Sequence, residues 1–312
     1  MDRGNYLSSI PDIQQLFKAV FHRGLSASFL QWRFADNLMS LSPVTLMREK
    51  GQLVAHSAST PNQFHFNERN MLGGMNSTAM THPSYQGQGL FRKLTLENEA
   101  ELIRLGFDFL YCFPNRNSAP IFLQMGWVAV YEIPTLHLIL IDADQNIIPP
   151  SEPLFDNEFE LYDYDTIAAQ SGLICIPRTR RWLQWRYVRN PLNEYKNLVV
   201  VHDGELRAFA VMKIYHAEGK SNIDLVDYFS KDIVSLQLLI DQLKAYAAGQ
   251  KKTGISTWAP HHHFSHHVFM RRGFLHQGPV TYFLVKPLKD NYRDSLKCYS
   301  NWWVTMGDSD IY

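Results

Sequence analysis

The run Thr81-His82-Pro83-Ser84-Tyr85-Gln86-Gly87-Gln88-Gly89-Leu90-Phe91-Arg92-Lys93-Leu94 carries the residue types that bind a phosphate through main chain. Glycines at 87 and 89 remove the β-carbons that would keep an anion from the backbone, and a helix opening at Leu90 points its first, unpaired amides outward. The helix dipole adds to the attraction. Met75 to Ala79 reads as a strand running into this turn, and Arg92 and Lys93, one turn inside the helix, reach peripheral phosphates. Other phosphate loops fit worse. A Walker loop ends in Gly-Lys-Ser/Thr, which is absent, and a dinucleotide fingerprint has a third glycine where Arg92 stands.

Two further clusters could do chemistry. His261, His262, His263, His266 and His267 include two i, i+4 pairs, the spacing of a zinc-binding helix, but no third ligand or HExxH glutamate accompanies them. Capping, packing or substrate contact is the better account. Arg178, Arg180, Arg181, Arg186 and Arg189 interleave with Trp182, Trp185 and Tyr187, a composition that suits stacked bases. Because Trp32 and Arg33 repeat the pattern elsewhere, a shared packing role is preferred and nucleic acid is not indicated. Tyr299, Trp302, Trp303 and Tyr312 form an aromatic tail expected to pack on the body.

The elements that hold these residues occur twice. Leu30-Gln31-Trp32-Arg33 recurs as Leu183-Gln184-Trp185-Arg186, an offset of 153, and Gly51 and Gly204, each in a hairpin turn, share that offset. Phe122 to Trp127 matches Phe269 to Phe274 at an offset of 147. This predicts a duplicated domain, 1–150 and 151–312, with the boundary near Pro149-Pro150-Ser151. Ile13, Leu16, Phe17, Val20 and Phe21 share a helical face, giving a first helix that starts after Pro11. Hairpins follow at Val44 to Met47 with Leu53 to Ala58, and at Val199 to Val201 with Leu206 to Met212. A helix from Leu90 stops at Gly106, Phe107 to Phe113 reads as a buried strand, and Ser118 is placed to cap a short helix ending at Gly126. In the second half Ile233, Leu236, Ile240 and Leu243 mark a helix ending near Gly249, before a strand at Ile255 to Trp258 and a short helix ending at Gly273. Both copies are expected to begin helical and to finish with a strand pair.

Gln86-Gly87-Gln88-Gly89-Leu90-Phe91 resembles the (Gln/Arg)-x-x-Gly-x-(Gly/Ala) signature of the GNAT superfamily of acetyl-coenzyme A dependent N-acetyltransferases, with Phe91 departing from the last small position. Asn115 and Ala119 stand where that superfamily lines the pantetheine arm, and Gly126-Trp127 stands for its Gly-Phe. The resemblance covers about residues 40 to 140; the second copy shares the element order and Gly273-Phe274. It implies a mixed α/β fold, two tandem domains each built on a splayed mixed β-sheet, with acetyl-CoA held by Gln86 to Arg92, Asn115, Ala119 and Phe122. It also implies acetyl transfer to a primary amine of a small acceptor. A non-catalytic acyl-CoA-binding module is the alternative. The second copy has no glycine between Asp227 and Leu236 and is expected to have lost the cofactor.

Attack on a thioester needs an unprotonated amine, so a base must take the ammonium proton, and an acid near the sulfur helps the thiolate leave. The superfamily often places a Tyr four residues before the glycine of the short helix, but here Phe122 precedes Gly126. Tyr111 and Cys112, on the strand beside the cofactor, and Tyr85 and His82, at the loop entrance, are the candidates. Tandem members that use a terminal carboxylate bring in Tyr312.

Composition sets the remaining bounds. Hydrophobic residues at 46% and charged residues at 19% describe a chain that can bury a core, and 30 basic against 30 acidic side chains leave no global field for nucleic acid or anionic membrane. Cys112, Cys175 and Cys298 are odd in number and scattered, so no disulfide framework is expected. No signal-like or membrane-spanning run is read, and a cytoplasmic location is the expectation.

Overall fold

The computed structural model describes residues 3–39, 42–140, 152–167, 169–170, 172–214 and 222–312. They form two compact units, each with parallel and antiparallel strands flanked by helices. The first contains the chain up to Val130 together with Asn190–Leu192 and Phe283–Cys298, and the second contains Tyr131–Arg189, Asn193–Tyr282 and Tyr299–Tyr312. The boundary expected at Pro149-Pro150-Ser151 lies outside the described residues.

In the first unit, α1 is Arg3–Phe21, with Pro11 inside it and not before it. The helix crosses the proline because Tyr6 and Ile10 are buried with Ile13, Leu16 and Phe17 in one cluster, so packing outweighs the missing amide. After α2 (Ala27–Leu30), Gln31–Ala35 forms a single π turn closed by the Asp36 amide donating to the Gln31 carbonyl. Strands β1 (Val44–Glu49), β2 (Gln52–Phe66) and β3 (Arg69–Thr81) form an antiparallel meander. Its tight turns place Lys50-Gly51 and Asn67-Glu68 at positive φ, as two-residue hairpins require. Helix α3 (Leu90–Arg104) packs Leu90 and Leu94 on Val54 and Ala55 of β2, each side chain contributing about 1.5–3 kcal/mol by burial. It is followed by β4 (Phe109–Cys112) and α4 (Ala119–Gln124).

Among the described residues one long strand, β5 (Val128–Ile139), stands where the sequence leads one to expect a strand pair at the end of the first half. The second half runs β6 (Leu154–Phe155), α5 (Arg180–Leu183), a second π turn at Gln184–Val188, β7 (Glu194–His202), β8 (Glu205–Ile214) and β9 (Asn222–Ser230). It continues through α6 (Ile233–Gly249), β10 (Gly254–Thr257), α7 (Phe264–Arg271) and β11 (Leu275–Pro287), again one long strand. Among the described residues this half has no counterpart of α1; only a 3-10 turn at Asp165–Ile167 precedes α5, so its start is less helical than expected. The repeat is otherwise close in detail. Both Leu-Gln-Trp-Arg copies make a π turn, and Asp203-Gly204 adopts the positive φ pair seen at Lys50-Gly51.

The two units run through the same strand order, with their last strands exchanged. In the first unit the order is β1-β2-β3-β4-β11, with β3 parallel to β4 and β4 antiparallel to residues 284–287 of β11. In the second it is β7-β8-β9-β10-β5, with β9 parallel to β10 and β10 antiparallel to residues 136–139 of β5, and β6 added at the β7 edge. Lys286 secures the borrowed strand in the first unit, pairing with buried Glu99 of α3 at 2.6 Å and donating to the Met125 carbonyl at 2.9 Å.

Candidate functional site

The glycine turn sits where β3 hands the chain to α3. Pro83–Tyr85 makes a 3-10 turn in which the Ser84 amide donates to His82 Nδ1, and Gln86 leads on to Gly87 and Gly89 at φ of 77° and 74°. Gly89 is the N-cap of α3, and no side chain caps that helix. A β-carbon added at either glycine would meet nothing within 4 Å, so the space in front of the first-turn amides is open. Uncapped amides, a helix dipole and clear main chain are together the features that suit an anion.

This turn forms one wall of a cleft of about 560 Å³ within the first unit. Of the residues expected to hold the cofactor, Gln86, Gly87, Gly89, Leu90, Phe91, Arg92 and Asn115 line it. Gln88 is exposed beside the turn, while Ala119 and Phe122 are buried behind the lining. The cleft also uses residues with no local signal: Val20 and Phe21 at the end of α1, Ala79 to Thr81 of β3, and Ile121 of α4. Only knowing where α1 comes to rest reveals the first pair.

The sheet opens beside the cleft. β3 and β4 pair only from Gly73 with Phe109 to Met75 with Tyr111, while β3 continues to Thr81, so its later residues diverge from β4. Beyond β4, Asn115 Oδ1 accepts from the amides of Asn117 and Ser118 at 2.9 and 3.0 Å. Asn115 thus does the capping expected of Ser118, whose side chain caps nothing. The ring of Phe91 meets Phe122 edge-on at 5.5 Å, and Phe122 meets Trp127 edge-on at 4.9 Å. Edge-on aromatic contacts therefore surround Phe122, at the position of the missing tyrosine.

Of the four proton-transfer candidates, Tyr85 lines the cleft. His82 stands next to it, rings 5.9 Å apart, with Nδ1 engaged by the Ser84 amide. Tyr111 is buried on β4 and its hydroxyl accepts from Asn62 Nδ2 at 2.9 Å; Cys112 is buried one residue on.

In the second unit the corresponding strand-to-helix junction is closed. Asp232 is the N-cap of α6, accepting from the Ser235 amide at 2.8 Å and pairing with Arg207 at 2.7 Å. A carboxylate of the chain itself occupies the end of the helix. The histidines between 261 and 266 make packing and capping contacts: His261 lies beside the stacked Tyr131–Tyr299 pair, His262 Nε2 meets the Trp302 carbonyl, His263 caps α7, and His266 engages the Ala259 carbonyl and His276. Burial holds His262, His263 and His266 below the ordinary imidazole range. Among the described residues no group of three or more metal-ligating side chains is found. Trp185 and Arg186 are buried as expected for packing, with Arg186 donating to the main-chain oxygens of Gly307 and Tyr312, and Trp302 and Trp303 are buried in the same unit. No described helix is long and apolar enough to cross a membrane.

Residues 6–130 match the family model of an acetyltransferase (GNAT) domain. No curated protein matches the chain. Among solved structures, a conserved protein of unknown function from Enterococcus faecalis, described as a probable N-acyltransferase, aligns at 12% identity over 92% of this chain and 71% of its own, with a TM-score of 0.64. A GCN5-related N-acetyltransferase from Anabaena variabilis aligns at 8% identity over 90% of this chain and 71% of its own, with a TM-score of 0.65. Eis1 from Mycobacterium abscessus aligns at 12% identity over 96% and 75%, with a TM-score of 0.63. At these identities the likeness is one of fold.

Proposed function

We propose that this chain, whose residues 6–130 are an acetyltransferase domain of the GNAT family, moves an acetyl group from acetyl-coenzyme A to a primary amine of a small acceptor. The observation that carries this is the uncapped start of α3 behind two left-handed glycines, open to a cleft of the first unit. Acetyl-coenzyme A supplies an acyl thioester. The main-chain amides from Gln86 to Phe91 and the Arg92 side chain hold its pyrophosphate, and the β3 edge beyond Met75, released from β4, offers main-chain groups to its arm. The halves 1–150 and 151–312 are duplicated copies, of which the second has exchanged its anion site for Asp232.

Proton handling falls to few groups. Tyr85, on the cleft wall, is placed to pass the acceptor's proton to solvent, whereas Tyr111 is buried on β4 behind the cleft with its oxygen accepting from Asn62. Proximity of amine and thioester in the cleft carries most of the rate. The test is release of free coenzyme A thiol when the protein is mixed with acetyl-coenzyme A and a panel of amines; turnover with at least one amine is expected, and binding without thiol release from any of them would favour the second reading.

That second reading, an acyl-coenzyme A-binding module without turnover, is favoured by Phe122, which cannot protonate a leaving thiolate. Phe122→Tyr separates the two in steady-state kinetics. A change below about tenfold in kcat is expected of a working enzyme that relies on proximity; a rise of about a hundredfold would mark the natural chain as a retired catalyst.

A further inference from the structure

We propose that His56 is a positioning residue for the acyl-donor site: its Nδ1–H holds the carbonyl of Thr78 and so fixes the bulge that aims residues 79–81 into the cleft. This role rests on the acyl-coenzyme A reading of that cleft.

Along the β2–β3 ladder, Ala58 faces Ser77 and the next matched pair is His56 with Met80, so Thr78 and Ala79 together oppose Ser57. One extra residue on β3 makes a bulge, which bends the strand and re-aims the residues beyond it. Thr78 sits at φ of 55°, a left-handed conformation that a β-branched residue rarely adopts and that its surroundings must hold in place. The group that holds it is His56, 1% exposed, with Nδ1 at 2.8 Å from the Thr78 carbonyl. A carbonyl only accepts, so the ring proton is on Nδ1. Nε2, also buried, has no hydrogen-bond partner. Burial pushes this imidazole down to about 4, which keeps it neutral, and Nδ1 a fixed donor, through the neutral range.

The bulge acts locally on the cleft. Ala79, Met80 and Thr81 line it and lead to the glycine turn, and on the other side of β3 the pairing with β4 has already stopped at Met75. The rotation of these peptides decides which amides and carbonyls face the open side. A histidine lost from a core would cost stability wherever it lay; a histidine that holds Thr78 left-handed has a specific substitute, because glycine at 78 reaches that conformation unaided.

Calorimetric titration of the full chain with acetyl-coenzyme A tests this. His56→Leu should raise the Kd about tenfold or more, and adding Thr78→Gly to it should recover most of the loss. His56→Asn, whose amide nitrogen falls near Nδ1, should stay within about threefold of the parent, whereas His56→Gln, whose amide falls near Nε2, should not. Parental affinity in His56→Leu, or no recovery from Thr78→Gly, overturns the role. Should His56→Leu fail to fold, equal affinities in the Asn and Gln variants overturn it. No binding by the unaltered chain would instead overturn the acyl-coenzyme A reading, and this role with it.

Discussion

Gly89 combines two properties that no other residue type offers: a left-handed backbone at a helix N-cap and no side chain in front of the first-turn amides. The two separate by substitution. Gly89→Ala adds a β-carbon into open space, so it should fold, cost about 1–2 kcal/mol for the backbone, and weaken acetyl-coenzyme A binding about tenfold. Gly89→Asp adds a carboxylate where the pyrophosphate is proposed to lie and should lower the affinity at least about a hundredfold. A folded Gly89→Asp variant that binds acetyl-coenzyme A as tightly as the parent, measured by calorimetry, would place the site elsewhere. This turn can be recognised in sequence because everything it needs is local: two glycines, a helix start, a preceding strand. Asn115, on the loop entering α4, is reached only through the family resemblance. Val20, Phe21 and Ile121 carry no such mark, since an apolar residue on a helix reads as core whether it ends against a sheet or beside a cleft. Thr78 is hidden for a different reason: a bulge depends on the register of two strands, which neither strand encodes alone.

At the level of elements, the contrast between the starts of α3 and α6 sets the stoichiometry. One helix end is uncapped behind glycines; the other is closed by Asp232, whose carboxylate takes the Ser235 amide and pairs with Arg207. Calorimetry should therefore give a value near one acetyl-coenzyme A per chain. Asp232→Ala should cost about 1 kcal/mol in a urea melt through loss of the cap and leave the stoichiometry unchanged, because no glycine clears the main chain there. Two equivalent sites in the parent would contradict a retired second junction. Most elements follow from periodicity, and the hairpin turns follow from glycines that share the repeat offset. The exceptions have tertiary causes. Pro11 reads as a helix start, yet Tyr6 and Ile10 bury ahead of it and draw the helix back to Arg3. Nothing in Leu-Gln-Trp-Arg announces a π turn, but the tetrapeptide makes one both times, with the tryptophan and arginine buried in each.

At the level of the molecule, the feature beyond reach of the sequence is the exchange of β5 and β11. The sequence leads one to expect a strand pair at the end of each copy, completing that copy's own sheet; the pairings assign the long strand of each to the other. Edge choice is a matter of long-range topology, to which a strand's own residues contribute little. It has a direct test. Residues 1–145 and 146–312, co-expressed as separate polypeptides with a tag on one, should co-purify, since each carries the last strand of the other's sheet; each made alone should be poorly soluble, with an unpaired β4 or β10 edge. Two fragments that purify separately as folded monomers would rule out the exchange. For the living cell the exchange is a matter of timing. Leu284 pairs with Cys112, so the strand that closes the first sheet is synthesised 172 residues after the strand it joins. At roughly 5–20 residues per second, the nascent first half waits on the order of 10–35 s with that edge bare. A chain built this way matures after synthesis as a whole, and its vulnerable interval, during which a chaperone or a second nascent chain can reach β4, is set by the pace of the ribosome.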